Sequence, residues 1–462
     1  MRKKIIFFIC LVVLLQIIAF AQMQGLISYS SERYSRNIQP KPKTVKVEVY
    51  DEKNIITLCR DNNSSTTTSY FCKTTLNSYA ADYGAMPPNM YVFDFKIYNE
   101  EYIIMCGKYS GYGFIGKIKI SDLFAGVGQL ETYLVPVVSV LYKIDYYLDN
   151  EHLKVATLGH DGFSYYFVDY DLSDISIPYY YYKTDYTLYD LTQTQNYISI
   201  VFSKPVLHEF GIMRHDKTNI FNCQSQMWAF AGGAAFEYTC GARKPEDQDP
   251  CYLIENVDNS NDVFVAVALQ DHPYESTGHS IVVYDIKVSS WFLSFTQIIQ
   301  TAGKPKLKDM EYCPIDNSLN IVSNVNIDNN TNNYPISNGY SGRSDIDVIH
   351  KLRRYVTGNI ELIVPSNSAD MDDCLNSIAK YRDNYYIVAG KYKNTGSLYW
   401  FDREHTLQNN NGGCYEIYSA PVYWCSTQPS TTMTYYPSSD VKILNIIPCT
   451  ASSTPLFIPC SD

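Results

Sequence analysis

Residues 98–109, YNEEYIIMCGKY, join a polar turn to an apolar run that ends on a glycine and a basic-aromatic pair. The same pattern returns near the other end of the chain at residues 382–392, RDNYYIVAGKY. Each copy continues through a loop that closes on glycine, GKYSGYG at 107–113 and GKYKNTG at 390–396, into a second apolar run. Short apolar runs rich in aromatic and β-branched residues between polar turns predict strands, so the motif predicts a turn-strand-loop-strand unit.

Looser copies of this unit keep the polar turn and the apolar run; they are residues 53–60, 150–160, 195–204, 261–271 and 317–325. Around each copy, the apolar pattern predicts four consecutive antiparallel strands. One such sheet cannot bury both of its faces, whereas a ring of sheets buries each against its neighbours. The sequence therefore predicts an all-β fold, a β-propeller of four-stranded antiparallel blades, with seven blades expected and six or eight as alternatives.

The ends of the chain are expected to lie outside the repeats or to close them. Residues 22–44 are polar and irregular, which favours an N-terminal extended arm, and residues 45–462 are expected to form a single propeller domain. Residues 415–418 are assigned to the fourth strand of the seventh unit. Residues 441–447, VKILNII, are predicted to close the ring beside the first blade.

The first 21 residues have the pattern of a secretory signal peptide. A basic start at residues 2–4 precedes the apolar stretch 5–20, and Ala19-Phe20-Ala21 fits a cleavage site. We therefore expect cleavage after Ala21 and a secreted, periplasmic or cell-surface protein. The longest later apolar run, residues 133–142, is too short to cross a bilayer, so no membrane span is expected.

Composition narrows the range of partners. Loss of three positive charges with the signal takes the formal net charge from −11 to −14, which disfavours nucleic acid as a partner. The 43 tyrosines and 20 phenylalanines fit half-buried strands. The chain contains no GxSxG, Walker, HExxH or Rossmann pattern and no cysteine or histidine pair at metal spacing, so we expect no cofactor and no metal.

Twelve cysteines remain once Cys10 leaves with the signal, an even number that fits disulfides in an oxidising compartment. Cys59 and Cys72 flank a polar hairpin loop in TLCRDNNSSTTTSYFCKT. They are predicted to face each other across adjacent strands and to form a disulfide.

The loops between the second and third strands of all units open on one side of a propeller, where exposed loops carry function in many scaffolds. The candidate ligand-binding residues on these loops are aromatic, basic or acidic: Lys108, Tyr109, Tyr112, His160, Asp161, Phe163, His272, Tyr274, Lys391 and Tyr392. Ringed aromatics with a few polar groups suit sugars or peptides. The structural alternative is that the tyrosines cap the blade edges with their hydroxyls in water.

Aspartates recur in or just before the first strands, which would line the central tunnel; they are Asp94, Asp145, Asp190, Asp309 and Asp372. Such carboxylates could hold a cation or cleave a glycosidic bond as an acid and a base. The structural alternative is that each accepts backbone N–H groups from the loop of the adjacent blade. We favour the structural role, because a catalytic pair is unique whereas a structural device repeats.

The chain resembles secreted β-propeller repeat proteins of the Bacteroidetes envelope type, from residue 45 to the end. The resemblance rests on the repeated N-x-x-Y/L-apolar-G unit, since the WD dipeptide, the kelch double glycine and the YVTN motif are absent. It implies fold and compartment only, because propellers host both enzymes and binding platforms. The leading interpretation is a secreted, non-catalytic platform that binds a protein or a glycan. The alternative is a carbohydrate-active enzyme, a glycoside hydrolase or lyase with acidic residues at the tunnel mouth.

Overall fold

The computed structural model describes residues 27–29 and residues 43–436, the second range with gaps. The gaps are 61–68, 76–79, 88, 127–129, 175–178, 205–208, 230–251, 258–259, 270–278, 302, 328–344, 355–357, 366–373, 382–384, 393–394, 403–414 and 425–433. Among these described residues the one helix is α1 (Ile120–Ala125), and no helix is long and apolar enough to cross a membrane. The predicted signal peptide and the predicted closing strand at 441–447 lie outside them.

Strands follow one another along the whole described chain. In the first half they are β1 (Ile27–Tyr29), β2 (Lys43–Val49), β3 (Asn54–Arg60), β4 (Ser69–Thr75), β5 (Ala80–Ala85), β6 (Tyr91–Tyr98), β7 (Tyr102–Tyr109), β8 (Tyr112–Lys119), β9 (Glu131–Val135), β10 (Val140–Asp149), β11 (His152–His160), β12 (Tyr165–Asp171), β13 (Tyr180–Thr184), β14 (Thr187–Gln193), β15 (Tyr197–Lys204), β16 (Glu209–Asp216) and β17 (Asn219–Ala229).

In the second half they are β18 (Tyr252–Asn256), β19 (Asp262–Leu269), β20 (His279–Lys287), β21 (Phe292–Thr301), β22 (Gly303–Cys313), β23 (Ser318–Ile327), β24 (Asp345–Arg353), β25 (Gly358–Pro365), β26 (Cys374–Tyr381), β27 (Tyr385–Tyr392), β28 (Thr395–Asp402), β29 (Tyr415–Trp424) and β30 (Thr434–Tyr436).

These strands pair as antiparallel meanders in chain order, which confirms the predicted β-propeller of four-stranded antiparallel blades. Strands β2–β5, β6–β9, β10–β13 and β14–β17 form the first four meanders, and β18–β21, β22–β25 and β26–β28 follow. The first strands β2, β6, β10, β14, β18, β22 and β26 contact one another in a closed ring around a central channel. The hydrogen-bonded sheets number six, within the predicted range, because one nine-stranded sheet contains both β18–β21 and β22–β25.

The ends of the chain correct two expectations. Strand β1, from the segment predicted as an extended arm, pairs with β28 and supplies the outer strand of the last meander. The segment that begins at Tyr415 was expected in that position, but it forms β29 and lies between β21 and β25. The outer strand of a meander has an edge whose backbone groups can pair with a further strand. A strand pattern alone therefore does not decide which of these edges a terminal strand joins.

The apolar run of the repeat is continuous because its strand is buried on both faces. Ile103 and Met105 of β7 pack with Ile56 of the first meander, whereas Ile104 and Cys106 pack in the cluster shared with the third meander. Burial of each such side chain contributes roughly 1.5–3 kcal/mol. The core therefore lies between meanders, and each meander needs both neighbours to bury its side chains.

The glycine of the repeat lies opposite a β-bulge. Gly107 is opposite Val92, where the register of β6 shifts by one residue, and a Cβ on Gly107 would collide with the carbonyl oxygen of Tyr91. Gly159 in the third meander and Gly390 in the last one also lie beside such a register shift. The bulge brings the first strand close to the second, so glycine recurs because the backbones approach closely.

The predicted disulfide between Cys59 and Cys72 is wrong in this structure, where both side chains are buried thiols. The register gives the reason, because Cys59 lies opposite Tyr70 and Cys72 lies opposite Thr57. The two cysteines are thus offset by two residues instead of directly opposed. Burial, together with the nearby Cys59, raises the pKa of Cys72 to about 12, so the thiol form is strongly favoured.

Candidate binding face and central channel

The β7–β8 hairpin carries three of the predicted binding residues. Tyr109 lies opposite Tyr112, and Ser110 and Gly111 between them both have positive φ, as a tight two-residue turn requires. Lys108 is exposed, Tyr112 is 45% exposed, and Tyr109 packs partly against the core between the first two meanders. Lys108 and Tyr112 are therefore available to a ligand, whereas Tyr109 is partly a packing residue.

The β11–β12 hairpin ends in Phe163, whose side chain is 93% exposed. Asp161 holds this tip in place: its Oδ1 accepts hydrogen bonds from the N–H of Phe163 at 2.7 Å and of Ser164 at 2.8 Å. Its Oδ2 accepts one from the hydroxyl of Tyr166 at 2.7 Å. Partial burial would raise the pKa of Asp161, but these hydrogen bonds outweigh it and lower the pKa.

His160, predicted to face a ligand, is instead buried beside this hairpin tip. It is 3% exposed, its ring lies 6.1 Å from those of Tyr142 and Tyr165, and its Nδ1 accepts the N–H of Gly162 at 3.1 Å. His160 and Asp161 thus shape the hairpin and present Phe163. The sequence pattern did not distinguish them because a hairpin tip contains both the exposed residue and the residues that brace it.

One connection joins the two hairpins on the same side of the propeller. Between β9 and β10, the carbonyl oxygen of Val138 accepts the N–H of Gly113 at 2.7 Å, and Ser139 N–H donates to the carbonyl oxygen of His160 at 2.9 Å. We call this side, with the β7–β8 and β11–β12 hairpins, the hairpin face. It places Tyr112 and Phe163 on neighbouring meanders.

The remaining predicted binding residues are less fully described. His272 and Tyr274 lie outside the described residues. The backbone of Lys391 and Tyr392 is in β27, where Tyr392 lies opposite Thr395. The second GKY copy therefore also ends in a β-hairpin, at the corresponding position of the last meander.

The opposite side, which we call the turn face, carries exposed apolar residues that the sequence interpretation missed. Each lies at a turn that joins the first and second or the third and fourth strands of a meander: Leu148 (56% exposed), Phe221 (50%), Phe292 (59%) and Ile315 (48%). They occupy four consecutive meanders. In the sequence, each of them is an apolar residue beside a polar turn. The end of a buried strand has the same pattern, so the pattern does not indicate exposure.

Four of the predicted channel aspartates accept backbone N–H groups of the neighbouring meander, but the donors lie on its first strand and not in a loop as the structural interpretation expected. Asp94 Oδ1 accepts the N–H of Phe95 on its own strand, and its Oδ2 accepts the N–H of Ile144 on the next first strand, both at 2.9 Å. The same pattern, an N–H of the aspartate's own strand and one of the next first strand, recurs at Asp145, Asp190 and Asp309. Asp372 lies outside the described residues.

These aspartates are also surrounded by lysines. Burial would raise the pKa of Asp94, but the charges of Lys46, Lys143 and Lys96 outweigh it and lower the pKa. Lys143 Nζ lies 3.0 Å from Asp190 Oδ1, where burial still dominates and raises the pKa of Asp190. Their carboxylate oxygens are occupied by backbone donors and ammonium groups, which leaves little capacity for a substrate.

Two further channel acids, Glu255 and Glu311, were not singled out in the sequence. They lie on the adjacent first strands β18 and β22 and are partly exposed. Neither makes a hydrogen bond or an ion pair within the described residues. The described part of the chain also holds no group of three acidic, histidine or cysteine side chains arranged for a metal ion.

No family model and no curated protein sequence matches the chain. Among solved structures, it is similar to Sqt1 from Chaetomium thermophilum, with a TM-score of 0.43 and 8% identity over 82% of this chain and 86% of that one. It is also similar to Hsv2p from Kluyveromyces lactis, with a TM-score of 0.28 and 12% identity over 72% of this chain and 98% of that one. Similarities this low carry no argument about function, and the fold rests on the strand pairing described above.

Proposed function

We propose that this protein is an exported β-propeller that binds a protein or a glycan through its hairpin face. Export follows from the signal-like residues 1–21 and places the face outside the cytoplasm. The binding role follows from side chains that the fold presents to solvent without using them to hold the meanders together.

The observation that carries this proposal is Phe163. The side chain of Phe163 is 93% exposed, so the protein does not gain the free energy that burial of the ring would contribute. The backbone N–H groups of Phe163 and Ser164 donate hydrogen bonds to Asp161, and these hold the ring in its exposed position. A braced aromatic loses little conformational freedom when it meets a ligand, and aromatic residues are frequent binding hot spots. Tyr112 on the neighbouring meander would extend the contact.

The test is binding by Phe163→Ala and Tyr112→Ala variants of the full chain. Glycan and protein arrays would first identify ligands of the wild type, and biolayer interferometry would then measure Kd. Each lost aromatic contact costs about 1–3 kcal/mol. That range corresponds to a Kd roughly 5- to 150-fold higher.

Phe292→Ala is the matched control, because Phe292 is an exposed aromatic on the turn face. We expect its Kd to equal that of the wild type. A loss of binding in Phe292→Ala with no change in Phe163→Ala would move the binding role to the turn face and contradict the proposal.

The carbohydrate-active enzyme receives less support. The aspartates that suggested it, such as Asp94 and Asp190, accept backbone N–H groups of the next first strand, and the device repeats around the channel. Hydrolysis of chromogenic glycosides that is lost in Asp94→Asn, with the fold retained, would favour the enzyme over the platform.

A further inference from the structure

The β16–β17 hairpin brings a histidine and a cysteine together. His215 of β16 lies directly opposite Cys223 of β17, so the two side chains are on the same face of the sheet. Cys223 packs against the apolar cluster between the third and fourth meanders, and the His215 ring stacks on Phe167 of that cluster. His215 is fully buried, whereas Cys223 is partly exposed. The strand register thus pairs two residues whose separation in the sequence is not a metal-binding spacing.

One nitrogen of the His215 ring is satisfied and the other is not. Its Nδ1 lies 3.0 Å from the carbonyl oxygen of Ile220, which can only accept a hydrogen bond, so Nδ1 carries the proton. The lone pair of the neutral ring is therefore on Nε2, which is buried and has no hydrogen-bond partner in the described part of the chain. A histidine that ligates a metal donates its other ring N–H to a backbone carbonyl or a carboxylate in the same way. His215 has this arrangement, with Nε2 as the donor atom.

A thioether lies on the same face of β16. Met213 precedes His215 by two residues and is diagonal to Cys223 across the strand pair, a separation that long side chains can span. Met213 is fully buried in the same apolar cluster. Two hydroxyls beside it, those of Ser225 opposite Met213 and of Tyr180 with its ring 6.3 Å from that of His215, are buried without a hydrogen-bond partner among the described residues. The fold leaves the polar atoms of this face unused.

We propose that His215, Cys223 and Met213 form a site for a soft monovalent metal ion, Cu(I). Thiolate and thioether sulfur are soft ligands that select Cu(I), and imidazole also suits copper. Zinc takes thiolate, imidazole and carboxylate ligands, and the described residues hold no group of three acidic, histidine or cysteine side chains arranged for it. The site lies between the third and fourth meanders and is independent of the hairpin face.

Binding at this site exchanges a proton for the metal. Burial raises the pKa of Cys223 to about 12, so the metal-free protein holds the thiol. As the S–Cu bond forms, the S–H bond breaks and its proton passes to solvent, while His215 Nε2 and the Met213 sulfur each donate a lone pair. Copper stays Cu(I) throughout. Partly exposed Cys223 is the point of entry, because β30 covers the edge of β17 at residues 227–229, beyond this position.

The test is competition for Cu(I) by the full chain under anaerobic conditions with ascorbate, with the coloured bathocuproine disulfonate complex as the Cu(I) source. The variants are Cys223→Ser, His215→Phe and Met213→Leu, the last of which conserves volume. Because the chain has 13 cysteines, the quantity measured is the difference between each variant and the wild type. Met105→Leu is the matched control, since Met105 is an equally buried methionine in the core between the first and second meanders.

We expect the wild type to take up one Cu(I) per chain more than Cys223→Ser or His215→Phe. Met213→Leu should hold that ion at least about ten-fold more weakly. Met105→Leu should match the wild type. A readout at the site itself is the rate at which N-ethylmaleimide modifies Cys223, followed by peptide mass spectrometry. Cu(I) should slow this modification in the wild type, and zinc chloride should not.

The proposal is overturned by equal Cu(I) uptake in the wild type, Cys223→Ser and His215→Phe, or by unchanged affinity in Met213→Leu. It is also overturned if Cu(I) leaves the modification rate of Cys223 unchanged, if zinc chloride slows it equally, or if Met105→Leu weakens binding as much as Met213→Leu does. Should Cys223→Ser or His215→Phe fail to fold, the protection of Cys223 in the wild type and its loss in Met213→Leu decide the question.

Discussion

The backbone N–H of Val47 donates a hydrogen bond to the Ser377 hydroxyl at 3.3 Å and joins the first strand of the first meander to that of the last. Ser377 occupies the position after the bulge in β26, as Asp94 does in β6. The bond is thus the same inter-meander link that Asp94 makes to Ile144, with a hydroxyl in place of a carboxylate. It closes the ring at its centre, while β1 on β28 closes it at the outer edge.

Among the described residues, no such link is found between the fifth and sixth meanders. Asp190 accepts the N–H of Ile254, so Leu253 of β18 occupies the position that Asp94, Asp309 and Ser377 occupy in β6, β22 and β26, and it has no side-chain oxygen. The same position carries Lys46 in β2 and Lys143 in β10, whose ammonium groups pair with Asp94 and Asp190. At this junction β29 pairs with both outer strands, β21 and β25. Within the described part of the chain, the junction with Leu253 at this position is therefore the one that β29 joins at the outer edge.

The first prediction concerns the aspartate links. Asp94→Ala should lower the free energy of unfolding by about 3 kcal/mol, because it removes the acceptor of the Ile144 N–H and leaves the Lys46 ammonium group with only the partly exposed Glu48. Urea unfolding followed by fluorescence measures the change. Asp82→Ala is the control: Asp82 forms an exposed ion pair with Lys73, which is worth at most about 1 kcal/mol. Equal losses in the two variants would mean that the link does not stabilise the ring.

The sequence predicted the repeating core well because the physical constraint is local. The continuous apolar run of β7 is buried on both faces, and Gly107 is required where the bulge at Val92 brings two backbones together. Both constraints act within one meander, so they recur at each copy and are visible as a motif. The repeated aspartates were predictable for the same reason.

The terminal strands and the channel pair were not predictable in this way. Strands β1 and β29 could have paired with any open edge, and the choice depends on contacts between residues far apart in the chain. Glu255 and Glu311 lie on adjacent first strands only because the ring of meanders brings β18 beside β22, which no local pattern records. A glutamate in a strand pattern ordinarily predicts a solvent-facing side chain.

The second prediction tests the glycine at the bulge. Gly107→Ala should destabilise the protein by about 1–3 kcal/mol or more, since its Cβ would meet the Tyr91 carbonyl and the Phe114 ring. Lys108→Ala, one residue further on and exposed, should change stability by less than about 0.5 kcal/mol. Chemical unfolding of both variants provides the comparison. A neutral Gly107→Ala would show that the strands can separate there without cost.

The third prediction concerns the cysteines. Because Cys59 and Cys72 are buried thiols, iodoacetamide should modify them slowly in the native protein and completely in denaturant without reductant. Peptide mapping by mass spectrometry gives the extent of modification at each site. A peptide pair linked through Cys59 and Cys72 in the unreduced protein would contradict the register found here.

The fourth prediction follows from two buried histidines. Burial lowers the pKa of His215 to about 4, although a hydrogen bond to the carbonyl of Ile220 opposes the shift, and burial lowers the pKa of His350 to about 3. In the unfolded chain a histidine takes up a proton near pH 6.5. Between pH 6.5 and 4 the unfolded state therefore binds more protons than the folded state, and stability falls as pH decreases.

The size of this effect can be isolated with one variant. His215 stacks on Phe167 with ring centroids 4.2 Å apart, so His215→Phe keeps an aromatic ring and removes the titrating group. Each such histidine contributes a slope that approaches about 1.4 kcal/mol per pH unit roughly one unit below pH 6.5. The free energy of unfolding of His215→Phe should thus fall by about 1.6 kcal/mol less than that of the wild type between pH 6.5 and 5. Because burial raises the pKa of Asp169 to about 7, an effect of opposite sign, the difference between the two proteins is the quantity to measure.

His152→Gln, at a part-exposed histidine beside Asp171, is the control and should keep most of the wild-type slope. Parallel slopes for wild type and His215→Phe would mean that His215 is protonated in the folded protein.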